Sequence, residues 1–277
     1  MTGLPRRPGP TVRTRVEEHV GDEVRRHEDR LATEEPLEVR LTWPGAQARR
    51  VWVTMRTPGH DFELAAGWVR HEGLLGAGTG LAGVAYCTDA DLTREQELNV
   101  VTVTLDAAPA REPGYRHEGL SAGSSACGVC GADSVADALS VTPAEPWAGP
   151  LPPPDVVRRL PDLVREAQRV FDRTGGVHAA ALARADGELL VVREDIGRHN
   201  AVDKVTGARL LAGEPVAEAC LVVSGRAGFE LVQKALKAAI PVMVSGGAAS
   251  SLAGEMASAA GMTLYSFVGP GRGNLHL

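Results

Sequence analysis

The sequence predicts an α/β protein with a smaller α+β N-terminal part and a larger, layered α/β domain after it. Three observations lead there. From residue 177 onward, apolar strand-length runs at 177–184, 189–193, 220–224, 241–245 and 262–268 alternate with helical stretches at 200–211, 229–239 and 250–261. Strands that are apolar throughout and alternate with helices belong to a sheet covered on both faces. Residues 37–105 instead carry several strand patterns around one helix pattern, and six prolines at 143, 146, 150, 152, 153 and 154 separate the two regions as a stiff linker. At roughly 150 residues per domain, a chain of 277 residues makes about two domains.

Taken in order, residues 1–36 form an arm rich in proline and charge. Val12, Val16, Val20 and Val24 recur at helical spacing, yet the Thr and Val content of 11–16 suits a strand. The arm is therefore left between strand and partial disorder. Residues 37–43 alternate apolar with polar, Pro44-Gly45 turns the chain, and 50–57 reads as the second strand of a hairpin. Asp61 is placed to cap a helix through Leu64, Ala65, Trp68 and Val69. Strands follow at 84–87 and 98–105. Residues 106–131 show no periodicity and form a long polar loop, followed by a short helix near 133–140. The α+β domain thus spans 37–142, the linker 143–154, and the second domain 155–277. That domain opens with a helix over 154–171, and Asp186-Gly187 joins its first two strands as a hairpin.

A formal net charge of −6 argues against a nucleic-acid partner, which needs a clustered positive field. No apolar run approaches the roughly 20 residues of a membrane span, and the N-terminus MTGLPRRPGP lacks the apolar stretch of a secretory signal. A soluble, cytoplasmic protein is expected.

Four cysteines, at 87, 127, 130 and 220, are too few for a disulfide scaffold in a chain this long. Cys127 and Cys130 form a C-x-x-C pair in the run SSACGVCG, whose glycines let the backbone bend and expose sulfur. Such a pair in a reducing compartment points to redox, metal or nucleophilic chemistry. Two buried small apolar residues would be the plainer account, and the polar, glycine-rich flanks oppose it. The N-terminus of the helix expected just downstream would favour a thiolate, whereas Asp133 would oppose it. Structural zinc wants four ligands, and Cys87 and Cys220 stand alone. A zinc deaminase carries H-x-E ahead of its Cys pair. Here His178 follows the pair, and the residue two beyond it is Ala180. No metal ligands are assigned. A thioredoxin-like pair would sit at a strand-to-helix junction, not in a long loop.

Glycine-rich turns follow three of the apolar strands: Ser224-Gly225-Arg226, Ser245-Gly246-Gly247, and Gly269-Pro270-Gly271-Arg272-Gly273. Open α/β sheets bind ligands at the carboxyl ends of their strands, so these turns should gather along one edge. Two feed helix N-termini, which suit phosphate, and Arg226 and Arg272 could fork onto phosphate oxygens. No P-loop motif is present. The cluster from Arg193 to Lys204 (Arg193, Glu194, Asp195, Arg198, His199, Asn200, Asp203, Lys204) has a simpler account as a capped helix start with solvated charges. His178 reads as a hydrogen-bonded structural residue.

The runs SSACGVCG, GGVHAAAL, EDIGRHNAVDK, VSGRAGFELVQKA and FVGPGRGN, in this order, resemble the formate dehydrogenase accessory sulfurtransferases, the FdhD family of sulfur carriers. The resemblance runs from about Thr11 to the C-terminus. It implies a cytidine-deaminase-like three-layer α/β fold for the C-terminal domain, without deaminase chemistry. It implies that Cys127 accepts persulfide sulfur from a cysteine desulfurase, with Cys130 as its companion. The sulfur then passes to the molybdenum (or tungsten) bis(molybdopterin guanine dinucleotide) cofactor, held as a substrate, before that cofactor enters formate dehydrogenase. The family's cofactor segment maps to Phe267, Val268, Gly269, Pro270, Gly271 and Arg272. The turns at Ser224, Gly225 and Arg226 and at Ser245, Gly246 and Gly247 are added on physical grounds alone. GDP-like nucleotides are the expected analogues, no structural metal is expected, and a homodimer is compatible with all of this. The alternative is a cofactor-binding chaperone whose cysteines are structural or bind metal.

Overall fold

The computed structural model describes residues 9–90, 92–93, 96–113 and 147–277. The described part of the ambiguous arm forms a hairpin over 11–32. β1 (Thr11–Val20) pairs antiparallel with β2 (Glu23–Ala32), Val20 lying opposite Glu23. Gly21 opens the two-residue turn at φ 60°, which glycine adopts without steric cost. The valine spacing could not separate strand from helix because four is an even number: Val12, Val16 and Val20 share one face of a strand as readily as one side of a helix.

β3 (Glu35–Thr42), β4 (Arg49–Arg56), β5 (Leu81–Tyr86) and β6 (Val100–Leu105) form a four-stranded sheet in the order β4-β3-β6-β5, with β3 and β6 parallel. Leu37, Val39, Leu41, Val101, Val103 and Leu105 cluster with Leu64, Ala65, Trp68 and Val69 of α1 (Asp61–His71). Trp68 stacks on Trp52 with 5.0 Å between ring centroids. Asp61 does not cap this helix. It lies in the first turn, behind a His60 that offers no side-chain cap. Its buried carboxylate accepts from Arg56 Nε and Nη2 at 3.0 and 3.1 Å and from the Tyr86 hydroxyl at 2.7 Å. A buried guanidinium must be paired, and Arg56 claims the carboxylate.

The larger sheet holds β7 (His178–Ala183), β8 (Leu189–Asp195), β9 (Cys220–Val223), β10 (Val242–Ser245), β11 (Thr263–Gly269) and β12 (Arg272–His276), ordered β12-β11-β10-β9-β7-β8. β9, β10 and β11 run parallel, while β7 is antiparallel to both its neighbours. On one face, Ala180, Leu182, Leu221, Val223, Met243 and Leu264 meet α4 (Arg198–Leu211), α5 (Phe229–Lys237) and α6 (Ser251–Ala259). On the other, Ala179, Ala181, Ala183, Cys220, Val222, Val242 and Val244 meet α2 (Pro154–Ala167). Successive strand residues thus feed two separate cores, which makes three layers.

One expectation changes here and one element is added. The helix expected over 154–171 is two helices, α2 and the short α3 (Phe171–Thr174). Glu194 of β8 accepts the N–H groups of Val170 and Phe171, both at 2.8 Å, and draws the chain away from the first helix axis. The closing glycine run, read as a turn, is the turn of a hairpin whose second strand, β12, was not expected. β12 pairs antiparallel with β11, Gly269 lies opposite Arg272, and Gly271 takes φ 76°.

The two regions are bound at backbone distance. α1 crosses α4 so closely that a Cβ on Gly67 would overlap the Asp203 carbonyl and one on Gly207 the Glu63 carbonyl. The polar run expected to be solvated is instead largely sealed into this contact: Asp195, Asn200, Asp203 and Lys204 are all buried. Lys204 Nζ lies 2.7 Å from Asp195 and donates to the Thr57 carbonyl at 2.9 Å, while Thr57 N–H donates back to Asp195 at 3.2 Å. Asp203 joins His71, 2.6 Å away, to Lys234. Burial holds His71 down to about 4, more than offsetting the pull of Asp203 toward the charged ring, so the ring is neutral near pH 7.

Candidate functional site

Strand directions bring five chain segments to one edge of the large sheet. His178 begins β7 opposite Asp195 at the end of β8, and Val223, near the end of β9, pairs with both Ala180 and Ser245. β11 ends at the same side. This is the carboxyl edge at which parallel strands present ligand-binding loops.

The three turns are locked to one another by their own backbones. Ser245 Oγ donates to the Gly225 carbonyl at 2.7 Å and to that of Gly247 at 3.1 Å. Gly247 N–H donates to Gly225 at 3.2 Å, Phe267 N–H to Gly247 at 2.9 Å, and Ala227 N–H to Ala248 at 2.9 Å. Ser224 Oγ accepts from Ala179 at 2.9 Å and ties the first turn to β7. A side chain on Gly247 would press on the Gly225 carbonyl and the Arg226 nitrogen, at 2.9 and 3.0 Å, so this crossing requires glycine. Ser224, Gly225, Arg226, Ser245, Gly246 and Gly247 thus form one continuous rim, reached by Phe267.

Phe267 sits at φ 50° and is 42% exposed, an unusual pairing for an aromatic residue. The β11–β12 register shifts between Ser266 and Gly269, and this irregularity spans Phe267 and Val268. Val268 is buried in the core on the α2 side, whereas Arg272 is exposed at the start of β12. Gly269, Pro270, Gly271 and Arg272 therefore stand at the tip of a hairpin beside the rim rather than at a helix start. Backbone strain of this kind costs about 1–3 kcal/mol and gathers at functional positions.

Cys127 and Cys130 lie outside the described residues. The other two cysteines are poor nucleophiles. Cys220 is fully enclosed in β9, and burial pushes its thiol up. Cys87 accepts from Arg40 at 3.5 Å, and burial with a contribution from Asp89 raises its thiol as well. Among the described residues, no three His, Cys, Asp or Glu side chains are grouped so as to hold a metal ion, and no helix is long and apolar enough to cross a membrane.

Sequence reasoning set aside His178, Arg198 and His199, yet all three stand at the same edge. A Cβ on Gly225 would lie 3.0 Å from His178 Nδ1 and 3.8 Å from Arg198 Cδ. Burial, then Arg198, His199 and Arg226, hold the His178 ring below its ordinary value. The available signal was the glycine directly before Arg198, which marks a strand-to-helix turn like the one that carries Arg226.

Fold and edge together define a three-layer α/β protein whose glycine turns and arginines meet at the carboxyl ends of its strands, with a small α+β unit clamped to it. The chain belongs to the FdhD/NarQ family, whose model matches residues 32–276. It is 46% identical over 244 residues to a sulfur carrier protein FdhD of Streptomyces coelicolor, covering 87% of this chain and 84% of that one. It is 44% identical over 260 residues to the protein of the same name in Mycolicibacterium paratuberculosis, covering 93% of each. A crystal structure from Desulfotalea psychrophila, named as a formate dehydrogenase accessory protein, shares the fold with a TM-score of 0.72 at 22% identity over 96% of both chains.

Proposed function

We propose that the protein is a sulfurtransferase of the persulfide-carrier kind, serving formate dehydrogenase in the cytoplasm. The observation that carries this reading is the C-x-x-C pair, Cys127 and Cys130, inside the span matched by a family whose relatives are named sulfur carriers. In the proposed reaction the Cys127 thiolate attacks the outer sulfur of a cysteine desulfurase persulfide. A new S–S bond forms, the old one breaks, and the desulfurase thiolate leaves, with no net oxidation. The carried sulfur then passes to the molybdenum bis(molybdopterin guanine dinucleotide) substrate. The rim of turns supports this second step. Glycines allow backbone amides close to phosphate, Arg226 and Arg272 supply charge-assisted donors, and the exposed Phe267 ring offers an apolar face.

GDP resembles one arm of that substrate and is expected to bind. Arg272→Ala is expected to weaken GDP binding by about 1.5–3 kcal/mol, the range for a hydrogen bond to a charged group. Sulfur loading of Cys127 should be retained, because loading needs only the Cys pair and the desulfurase. Titration calorimetry checks the first statement and a persulfide assay the second. Unchanged GDP binding, or loss of both steps together, would contradict a division between the sulfur-carrying cysteines and the cofactor edge.

The chaperone alternative makes a different statement about metal. Protein purified without added metal is expected to contain no stoichiometric zinc, since one Cys pair supplies only half of a structural site. Elemental analysis showing about one zinc per chain, lost on replacing Cys127 and Cys130, would favour that alternative.

A further inference from the structure

The β1–β2 hairpin lies ahead of the span matched by the family model, except for its last residue, Ala32. It forms a sheet of its own, and among the described residues neither strand pairs with any other. No residue of either strand is buried, and Val12, Val20, Val24 and Leu31 are each about half exposed. Directly opposed residues share a face, so Val12, Val16, Val20 and Leu31, which lies opposite Val12, make one apolar stripe along the ribbon. A lone two-stranded ribbon is marginal in water, and stability asks for three or more strands with a common apolar face. β2 leans on α3, whereas no proline interrupts the outer edge of β1, whose backbone groups are open to another strand.

The sequence of β1 selects that strand. Its first half is basic, with Arg13 and Arg15, and its second half acidic, with Glu17 and Glu18. Arg15 forms no ion pair with any described residue. We propose that β1 pairs antiparallel with β1 of a second copy of this chain about a two-fold axis at Val16, giving a four-stranded sheet in the order β2-β1-β1-β2. Because facing residues lie on the same side of a sheet, the axis must pass where a residue meets its own copy. With Val16 there, Arg15 faces Glu17 of the second copy and Glu17 faces its Arg15. Val12 faces Val20, Thr14 faces Glu18 and Arg13 faces His19, so no two carboxylates and no two guanidinium groups meet. Moving the axis by one residue sets Arg15 or Glu17 against itself. Moving it by two sets Arg13 against Arg15, or Glu18 against itself. Like charges directly opposite destabilise a sheet, which leaves the Val16 register. β2 is a poorer edge for self-pairing. The register that matches its charges, centred on His27, sets Leu31 against Glu23 and Val24 against Arg30. Pairing through β1 joins the two apolar stripes into the common face that the lone ribbon lacks.

Sedimentation velocity of the full-length protein across a concentration series is expected to show a dimer. Val16→Lys, which places two ammonium groups on the axis, is expected to weaken that dimer tenfold or more. Val16→Cys is expected to form a covalent dimer on mild oxidation with diamide, linked through position 16 of both copies. Val12→Cys should give no such link through position 12, since those positions stand eight residues apart along the strands, roughly 26 Å at about 3.3 Å per residue. Peptide mass mapping separates these links from any made through the native cysteines. Circular dichroism checks the folding of Val16→Lys, and if that variant fails to fold the cross-link decides. A monomeric wild type, a folded Val16→Lys protein that dimerises as the wild type does, or a dimer without the link at position 16 overturns the proposal. A monomer whose hairpin instead binds a cysteine desulfurase overturns it as well. None of these readouts depends on sulfur transfer.

Discussion

Lys204→Ala is expected to cost about 3–5 kcal/mol of stability, the penalty for breaking a buried ion pair by removing one partner. Lys204 is 1% exposed, and the carboxylate it faces, Asp195, is 0% exposed, so water cannot replace the lost ammonium. Asp195 would retain only neutral donors, from Thr57, Gly197 and Asn200. The Thr57 carbonyl would lose its partner as well. Because folded domains hold only about 5–15 kcal/mol in total, such a loss leaves a marginal protein. Equilibrium urea unfolding of the variant beside wild type measures it, and a change below about 1 kcal/mol would show that the clamp between the two regions is weaker than its burial implies. The consequence reaches the carboxyl edge of the large sheet, since Asp195 ends β8 three residues before Arg198.

Cys127→Ala is expected to reduce activation of formate dehydrogenase to the level seen without the protein. No described cysteine can take over. Cys220 is enclosed in the sheet with its thiol raised by burial, and the Cys87 thiol is raised too, so neither offers a ready thiolate. Formate dehydrogenase activity in cells lacking the carrier, supplied with wild-type or variant protein, is the measurement. Full activity with Cys127→Ala would remove the sulfur-carrier mechanism.

Much of the fold was legible because local pattern and tertiary environment agree. The apolar runs CLVV and VMV became strands fully buried in the large sheet, and Asp186-Gly187 closed the β7–β8 hairpin. The gathering of three turns followed from strand direction alone. What failed depended on exposure at a sheet edge or on distance in the chain. β12 was invisible because RGNLH is an edge strand, almost wholly exposed, with no apolar alternation to betray it. The polar run from Arg193 to Lys204 looked solvated because its partners, such as Glu63 and Thr57, lie over a hundred residues away. Gly67 and Gly207 each looked like an ordinary helix weakness, and only their meeting shows why glycine is needed. His178, Arg198 and His199 were visible as residue types, but their shared edge with Arg226 was not.

The central claim is that Cys127 carries transferable sulfur, and intact-mass analysis of the full-length chain tests it most directly. After incubation with a cysteine desulfurase and cysteine, the wild-type protein should gain about 32 Da, removable by reductant, as expected of a reversible persulfide. Cys127→Ala should show no such gain. Wild-type protein that stays at its starting mass, or a Cys127→Ala variant that gains the same increment, would contradict the account.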